Sequence, residues 1–273
     1  MTTNTTKLHT LDLLAYYGGD EPKPETNQNH IRIYAHNLCP FAARAKYTFS
    51  AKGIEFQECF VDLGNKAQWH KDFNGGLIPV VENQAGKMIP ESTICMNLAL
   101  RLAPLGQGIN VVPTDPMEAA KMRYAMEQFT KKNHGGNCIG LLNSCGLNEE
   151  KVQTFLNVSL PFFEEMCKTA GDKWLMGTDD LTLLDIHCGP MWEKIYCAEE
   201  SGALPDLMLR LNWRETAPAW CAYVDRFREH PAIKPYRFDP SSLRAQCEKL
   251  IAAAALGQGA PLSMAVLEGN FDF

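Results

Sequence analysis

The chain has 273 residues, 45% hydrophobic and 21% charged, which is enough apolar material for a substantial core and enough length for two domains of ordinary size. A formal net charge of −6 supplies no broad cationic surface, which argues against nucleic acid or an anionic membrane as principal partner and for a small molecule. No run reaches the roughly 18 apolar residues of a membrane span, and the first residues show neither a secretory signal nor an arginine-rich transit pattern, so a cytoplasmic protein is expected, its ten cysteines reduced.

Residues 1–29 are acidic and rich in Thr, Asn and Pro, and read as a loosely attached N-terminal extension. "IRIYA" then reads as a buried strand, and "FAARAKYTFSAK" as a helix stopped by Gly53. "IEFQECFVDL" is a second strand and, beyond the polar "KAQWHKDF", "LIPVVEN" a third. A turn at Ala85-Gly86 leads to a fourth strand, "GKMI", and "ESTICMNLALRLA" to a helix. The order β-α-β-α-β-β-α, with a parallel first pair and a closing hairpin, is a thioredoxin-like α/β arrangement over residues 30–110.

Residues 111–115 close a Pro/Gly-rich linker, and from 116 to 238 the apolar spacing is helical. Met122, Ala125, Met126 and Phe129 form one stripe. Val152, Phe155, Leu156 and Ser159 form another, which Leu160 and Phe163 continue. Thr182 followed three residues later by Asp185 is a variant capping box ahead of "IHCGPMWEKIYCAEE". "APAWCAYVDRFREH" is a further helix stopped near Pro231, and the tail, 239–273, opens with an alanine-rich helix. In "NHGGNCIGLLNSC" the glycines predict a loop, and without paired Cys-x-x-Cys spacing no metal site is expected.

One cysteine stands out by position. Cys39 falls where the first strand hands over to a helix that Pro40 opens, so its sulfur stands at the positive end of the helix dipole, beside N-H groups without intrahelical acceptors. That setting favours a nucleophilic thiolate. The position three residues on is Ala42, so no resolving cysteine exists within the motif, and exchange needs an external thiol, for which glutathione is the abundant candidate.

Other residues suit a glutathione site. A cis Ile78-Pro79 bond would turn the chain at the start of the third strand and present the Ile78 main chain to an extended peptide. Glu91 and Ser92 open the next helix with a carboxylate and a hydroxyl suited to the amino acid end of a γ-glutamyl group. Lys66 suits the glycyl carboxylate of an anionic tripeptide. From His30 to Asn110, eight Lys and Arg stand against six acids, a local net charge of +2.

"CPFA", "LIPVV", "PES", the helical second domain and the "TLLDI" cap, in this order, resemble the glutathione transferases, and "CPFA" with "NKAQW" resembles the omega class. The resemblance implies that Cys39 forms a mixed disulfide with glutathione and that Phe41 and Pro40 border the site. It also implies that Lys66, Ile78, Pro79, Glu91 and Ser92 bind glutathione, and that Thr182 and Asp185 are a structural cap. It further implies thioltransferase and dehydroascorbate reductase activity, a homodimer, and an acceptor pocket lined by Trp192 in "GPMWEK". The same fold serves non-enzymatic binding or membrane-associating proteins resembling intracellular chloride channels, which is the competing expectation.

Overall fold

The computed structural model describes residues 11–14 and 19–256. The chain divides into two compact units, Met1–Gly108 and Ile109–Phe273.

In the first unit, strand β1 (Leu11–Leu14) is followed by β2 (Ile31–Ala35), helix α1 (Pro40–Ala51), β3 (Phe56–Phe60), α2 (Gln68–Asn74), β4 (Val80–Glu82), β5 (Met88–Pro90) and α3 (Ser92–Leu102). The sheet order is β1-β3-β2-β4-β5. Every residue of β2 is buried, as a near-continuous apolar strand covered on both faces must be. It runs parallel to β3, with Tyr34 opposite Cys59 and Ala35 opposite Phe60, and antiparallel to β4, with Arg32 opposite Glu82 and Tyr34 opposite Val80. The β4–β5 hairpin sets Val80 opposite Pro90. Gly53, at φ +62°, ends α1 as expected, its N-H donating to the Ser50 carbonyl at 2.9 Å.

The chain ahead of β2 is tied to the sheet more firmly than a loose extension would be. Leu11–Leu14 pairs in parallel with β3. Within the sheet, Arg32 Nη1 stands 3.2 Å from Glu82 Oε2, and both side chains are buried. Such a pair needs further partners to offset its desolvation, and the lead-in supplies them. Thr26 Oγ1 and Lys23 Nζ donate to Glu82 Oε1, and the Glu25 carbonyl accepts from Arg32 Nη2 at 2.7 Å. Burial pushes the Glu82 carboxyl up, but hydrogen bonds from Lys23, Tyr34 and Thr26 outweigh it and hold the group below the ordinary carboxylate value.

The second unit is helical: α4 (Pro116–Lys131), α5 (His134–Asn143), α6 (Glu149–Thr154), α7 (Leu160–Ala170), α8 (Leu183–Ser201), α9 (Pro205–Leu211), α10 (Trp213–Thr216), α11 (Pro218–Glu229) and α12 (Pro240–Ala255). The two expected stripes are buried at Met122, Met126 and Phe129 and at Val152, Phe155, Ser159 and Phe163. A π-helical turn, Phe155–Ser159, joins α6 to α7 just before Pro161, whose missing N-H breaks the regular ladder.

The segment expected as a glycine loop is helix α5. Its glycines serve packing: a Cβ on Gly135 would stand 3.5 Å from both Met191 Cε and Phe129 Cε1. His134 and Cys138 are buried in the helical core, and among the described residues no cluster of ligating side chains suits a metal ion. No described helix is long and apolar enough to cross a membrane.

Candidate active site

The register of the first unit gathers the sequence-predicted residues at one end of the sheet. Tyr34, Val80 and Pro90 lie in one row across β2, β4 and β5. Beyond that row β2 runs on toward Cys39, β4 is entered through Ile78-Pro79, and β5 leaves into Glu91 and Ser92. β3 ends level with β2, where the Val61 N-H donates to the Ala35 carbonyl at 2.7 Å, and continues toward Lys66. Four segments therefore bring Cys39, Lys66, Ile78, Glu91 and Ser92 to the same end.

Cys39 is the N-cap residue of α1, with extended backbone at φ −89°, ψ 111° and no side-chain capping bond. Pro40 follows in the first turn, and no acid there opposes a developing negative charge. Cys39 is half-buried, whereas the other nine cysteines are buried. Burial pushes Cys59 and Cys221 up to about 11 and Cys95 and Cys197 up to about 12, so these stay protonated near neutral pH.

Lys66 is half-buried and within electrostatic reach of Cys39. Burial pushes its ammonium below the ordinary lysine value, negative charge on Cys39 pulls it back up, and Lys71 opposes that pull. By reciprocity, the ammonium favours the Cys39 thiolate. The Lys66 stem runs over Gly76, at φ +72°.

The Ile78-Pro79 peptide bond is cis. The residue before it is clamped by α2: Leu77 donates to Asn74 Oδ1 at 3.2 Å, and its carbonyl accepts from Asn74 Nδ2 at 3.0 Å and His70 Nε2 at 2.9 Å. Burial pushes the His70 ring below its ordinary value, which keeps the ring neutral for this role. Glu91 is exposed with φ +73°, a conformation uncommon outside glycine that is costly unless the surroundings demand it, and Ser92 beside it is buried. Arg44, buried in α1, ties the two helix starts together. Its guanidinium lies 5.1 Å from the centroid of the Phe41 ring, and Nη1 is 3.5 Å from Ser92 Oγ.

Residues 29–99 match the family model "Glutathione S-transferase, N-terminal domain". Over 238 residues the chain is 25% identical to glutathione S-transferase omega-1 of Sus scrofa, covering 83% of this chain and 88% of that protein. Against glutathione S-transferase omega-2 of Rattus norvegicus the identity is 27% over 214 residues, or 76% and 84% of the two chains. The crystal structure of glutathione transferase Omega 3C from Trametes versicolor superposes with a TM-score of 0.63 at 22% identity, covering 84% of this chain and 93% of that one. Residues 29–99 are thus a glutathione transferase N-terminal domain, and the chain as a whole is similar to omega-class glutathione transferases.

In the helical unit the α8 cap has the expected form. Thr182 and Asp185 make a reciprocal capping box, and Asp185, wholly buried, also accepts from Leu175 N at 2.9 Å and from the Tyr223 hydroxyl. Burial raises its carboxyl above the ordinary value, against hydrogen bonds from Thr182 and Tyr223. This is a folding role in the helical unit. Trp192 corrects the sequence reading: its side chain is 0% exposed and packs among Phe129, Phe163, Trp220 and Tyr223, so it is core and lines no open acceptor pocket.

Sequence reasoning missed four positioning residues of this candidate site: Arg44, His70, Asn74 and Gly76. "FNGG" did carry a signal, since consecutive glycines after a short helical run mark left-handed turns, and both Gly75 and Gly76 have φ +72°. Arg44 carried none, because a lone arginine in a helix reads as a solvated charge.

Proposed function

We propose that this chain is a glutathione-dependent thioltransferase and dehydroascorbate reductase acting through a Cys39–glutathione mixed disulfide. The observation that carries the reading is the pairing of one half-buried cysteine at a helix N-terminus with Lys66 in its field, with alanine in place of a second cysteine three residues on. The family supplies glutathione as co-substrate.

The Cys39 thiolate attacks the glutathionyl sulfur of a mixed disulfide, its S-S bond breaks, and the released substrate thiolate takes a proton from solvent. A second glutathione thiolate then attacks the glutathionyl sulfur on Cys39, which yields glutathione disulfide and restores the Cys39 thiolate. Ala42 is what makes that second glutathione necessary. With dehydroascorbate, two glutathione molecules supply the two electrons and two protons of the reduction and leave as their disulfide.

For binding, the Ile78 main chain, held by the Leu77 clamp, takes the tripeptide backbone as an added strand. Glu91 and Ser92 take the γ-glutamyl amino acid end, Lys66 the glycyl carboxylate, and Pro79 and Phe41 border the thiol, with Pro40 on the acceptor side. The same reading makes the protein a cytoplasmic homodimer.

The test is Cys39→Ala: glutathione-dependent reduction of a mixed-disulfide substrate and of dehydroascorbate falls to background. Undiminished activity on either would remove Cys39 from that reaction.

A further inference from the structure

Two further cysteines meet inside the helical unit. Cys145 stands in the turn between α5 and α6 at φ +49°, a left-handed conformation uncommon for a residue with a side chain. The turn is fixed. Cys145 N-H donates to the Leu142 carbonyl at 3.0 Å, and Gly146, at φ +73°, lies so close to α9 that a Cβ there would stand 2.9 Å from Leu207 Cδ1. This holds Cys145 Sγ against the middle of α12, where its thiol donates to the Cys247 carbonyl oxygen at 3.8 Å. Cys247 is 1% exposed and Cys145 is 7% exposed, so the pair meets the surface at Cys145.

The two sulfurs are not equivalent. The neighbouring Cys145 side chain lowers Cys247 below an ordinary thiol; burial opposes this, Lys194 assists and Glu248 resists. The Cys247 side chain, with burial, raises Cys145. Of the two sulfurs, negative charge is favoured on Cys247.

We propose that Cys145 and Cys247 form a second thiol site, which a hydroperoxide converts to a disulfide that staples α12 to the turn between α5 and α6. The Cys247 thiolate attacks one peroxide oxygen and the O-O bond breaks, giving a sulfenic acid and releasing hydroxide or alkoxide, which takes up a proton. Cys145 sulfur then attacks the sulfenyl sulfur, and the hydroxide expelled leaves as water with the Cys145 proton. The two thiols lose two electrons, and the peroxide becomes water and an alcohol, or two waters when it is hydrogen peroxide. Cys145 Sγ already touches the Cys247 main chain, so the disulfide joins two residues in contact. The link closes a loop spanning most of the helical unit, which restricts the unfolded chain and stabilises that unit.

The test treats the full-length protein with hydrogen peroxide, blocks remaining thiols with iodoacetamide during unfolding, and maps tryptic peptides without reduction. The expected product is peptide 133–151 joined to peptide 245–249, lighter by two hydrogen atoms than their sum, with fragmentation placing the link on Cys145 and not on Cys138. Dithiothreitol abolishes it, the oxidised protein melts at a higher temperature than the reduced one, and the link forms equally in Cys39→Ser. Recovery of Cys145 and Cys247 as alkylated or over-oxidised residues, a link of either to another cysteine, or a link that requires Cys39 would overturn the proposal.

Discussion

Lys66 and Gly76 are locked together: a Cβ added at position 76 would stand 2.6 Å from Lys66 Cδ, on a backbone with φ +72°. The glycine therefore sets where the lysine ammonium sits relative to Cys39. Gly76→Ala must both adopt a left-handed conformation, at about 1–2 kcal/mol, and push the Lys66 stem aside. If Lys66 binds a glutathione carboxylate, Gly76→Ala weakens glutathione binding by about tenfold or more, the low end of a hydrogen bond to a charged group. Titration calorimetry with reduced glutathione, with Lys66→Ala alongside, reads this directly. Wild-type affinity in both variants removes Lys66 from the site.

Asp185 makes a separable prediction about folding. Asp185→Ala removes the α8 capping box and strands the Leu175 N-H and the Tyr223 hydroxyl. A lost cap at about 1 kcal/mol and two polar groups left unsatisfied at about 1–3 kcal/mol each give a destabilisation of roughly 3–7 kcal/mol. Urea unfolding measures it. A midpoint unchanged from wild type would contradict the capping role.

His134 predicts an acid-sensitive helical unit. Its ring stacks on Phe162 at 4.1 Å, its Nδ1 meets Ser159 Oγ at 3.2 Å, and burial, with the charge of Lys132, pushes its pKa from 6.5 down to about 4. Between those values the unfolded chain binds a proton that the folded ring refuses. The stabilisation is thus complete above 6.5 and is lost as pH falls toward 4. Urea midpoints at a series of pH values between these limits should fall in the wild type and fall less steeply in His134→Gln. Parallel profiles would show that another group carries the acid sensitivity.

What was legible in the sequence follows from where local chemistry decides the structure. The apolar strand Ile31–Ala35, the Cys39-Pro40 helix start, the cis bond at Pro79 and the Thr182–Asp185 cap each depend on a few adjacent residues, and each is found. What was illegible depends on partners distant in sequence. The glycines of α5 read as a loop because the need for close approach to Met191 and Phe129 is a tertiary fact. Trp192 read as pocket lining because its aromatic neighbours come from α4, α7 and α11. Arg44 and the Lys23–Glu82 link escaped for the same reason, since a buried charge is recognised only by its partner.

Whether Cys39 alone carries glutathione is read by intact-mass measurement and peptide mapping after incubation with glutathione disulfide. A single glutathionyl adduct is expected, located on Cys39, absent in Cys39→Ala and released by excess reduced glutathione. An adduct confined to any other cysteine, or none under conditions where the protein turns over a disulfide substrate, would contradict it.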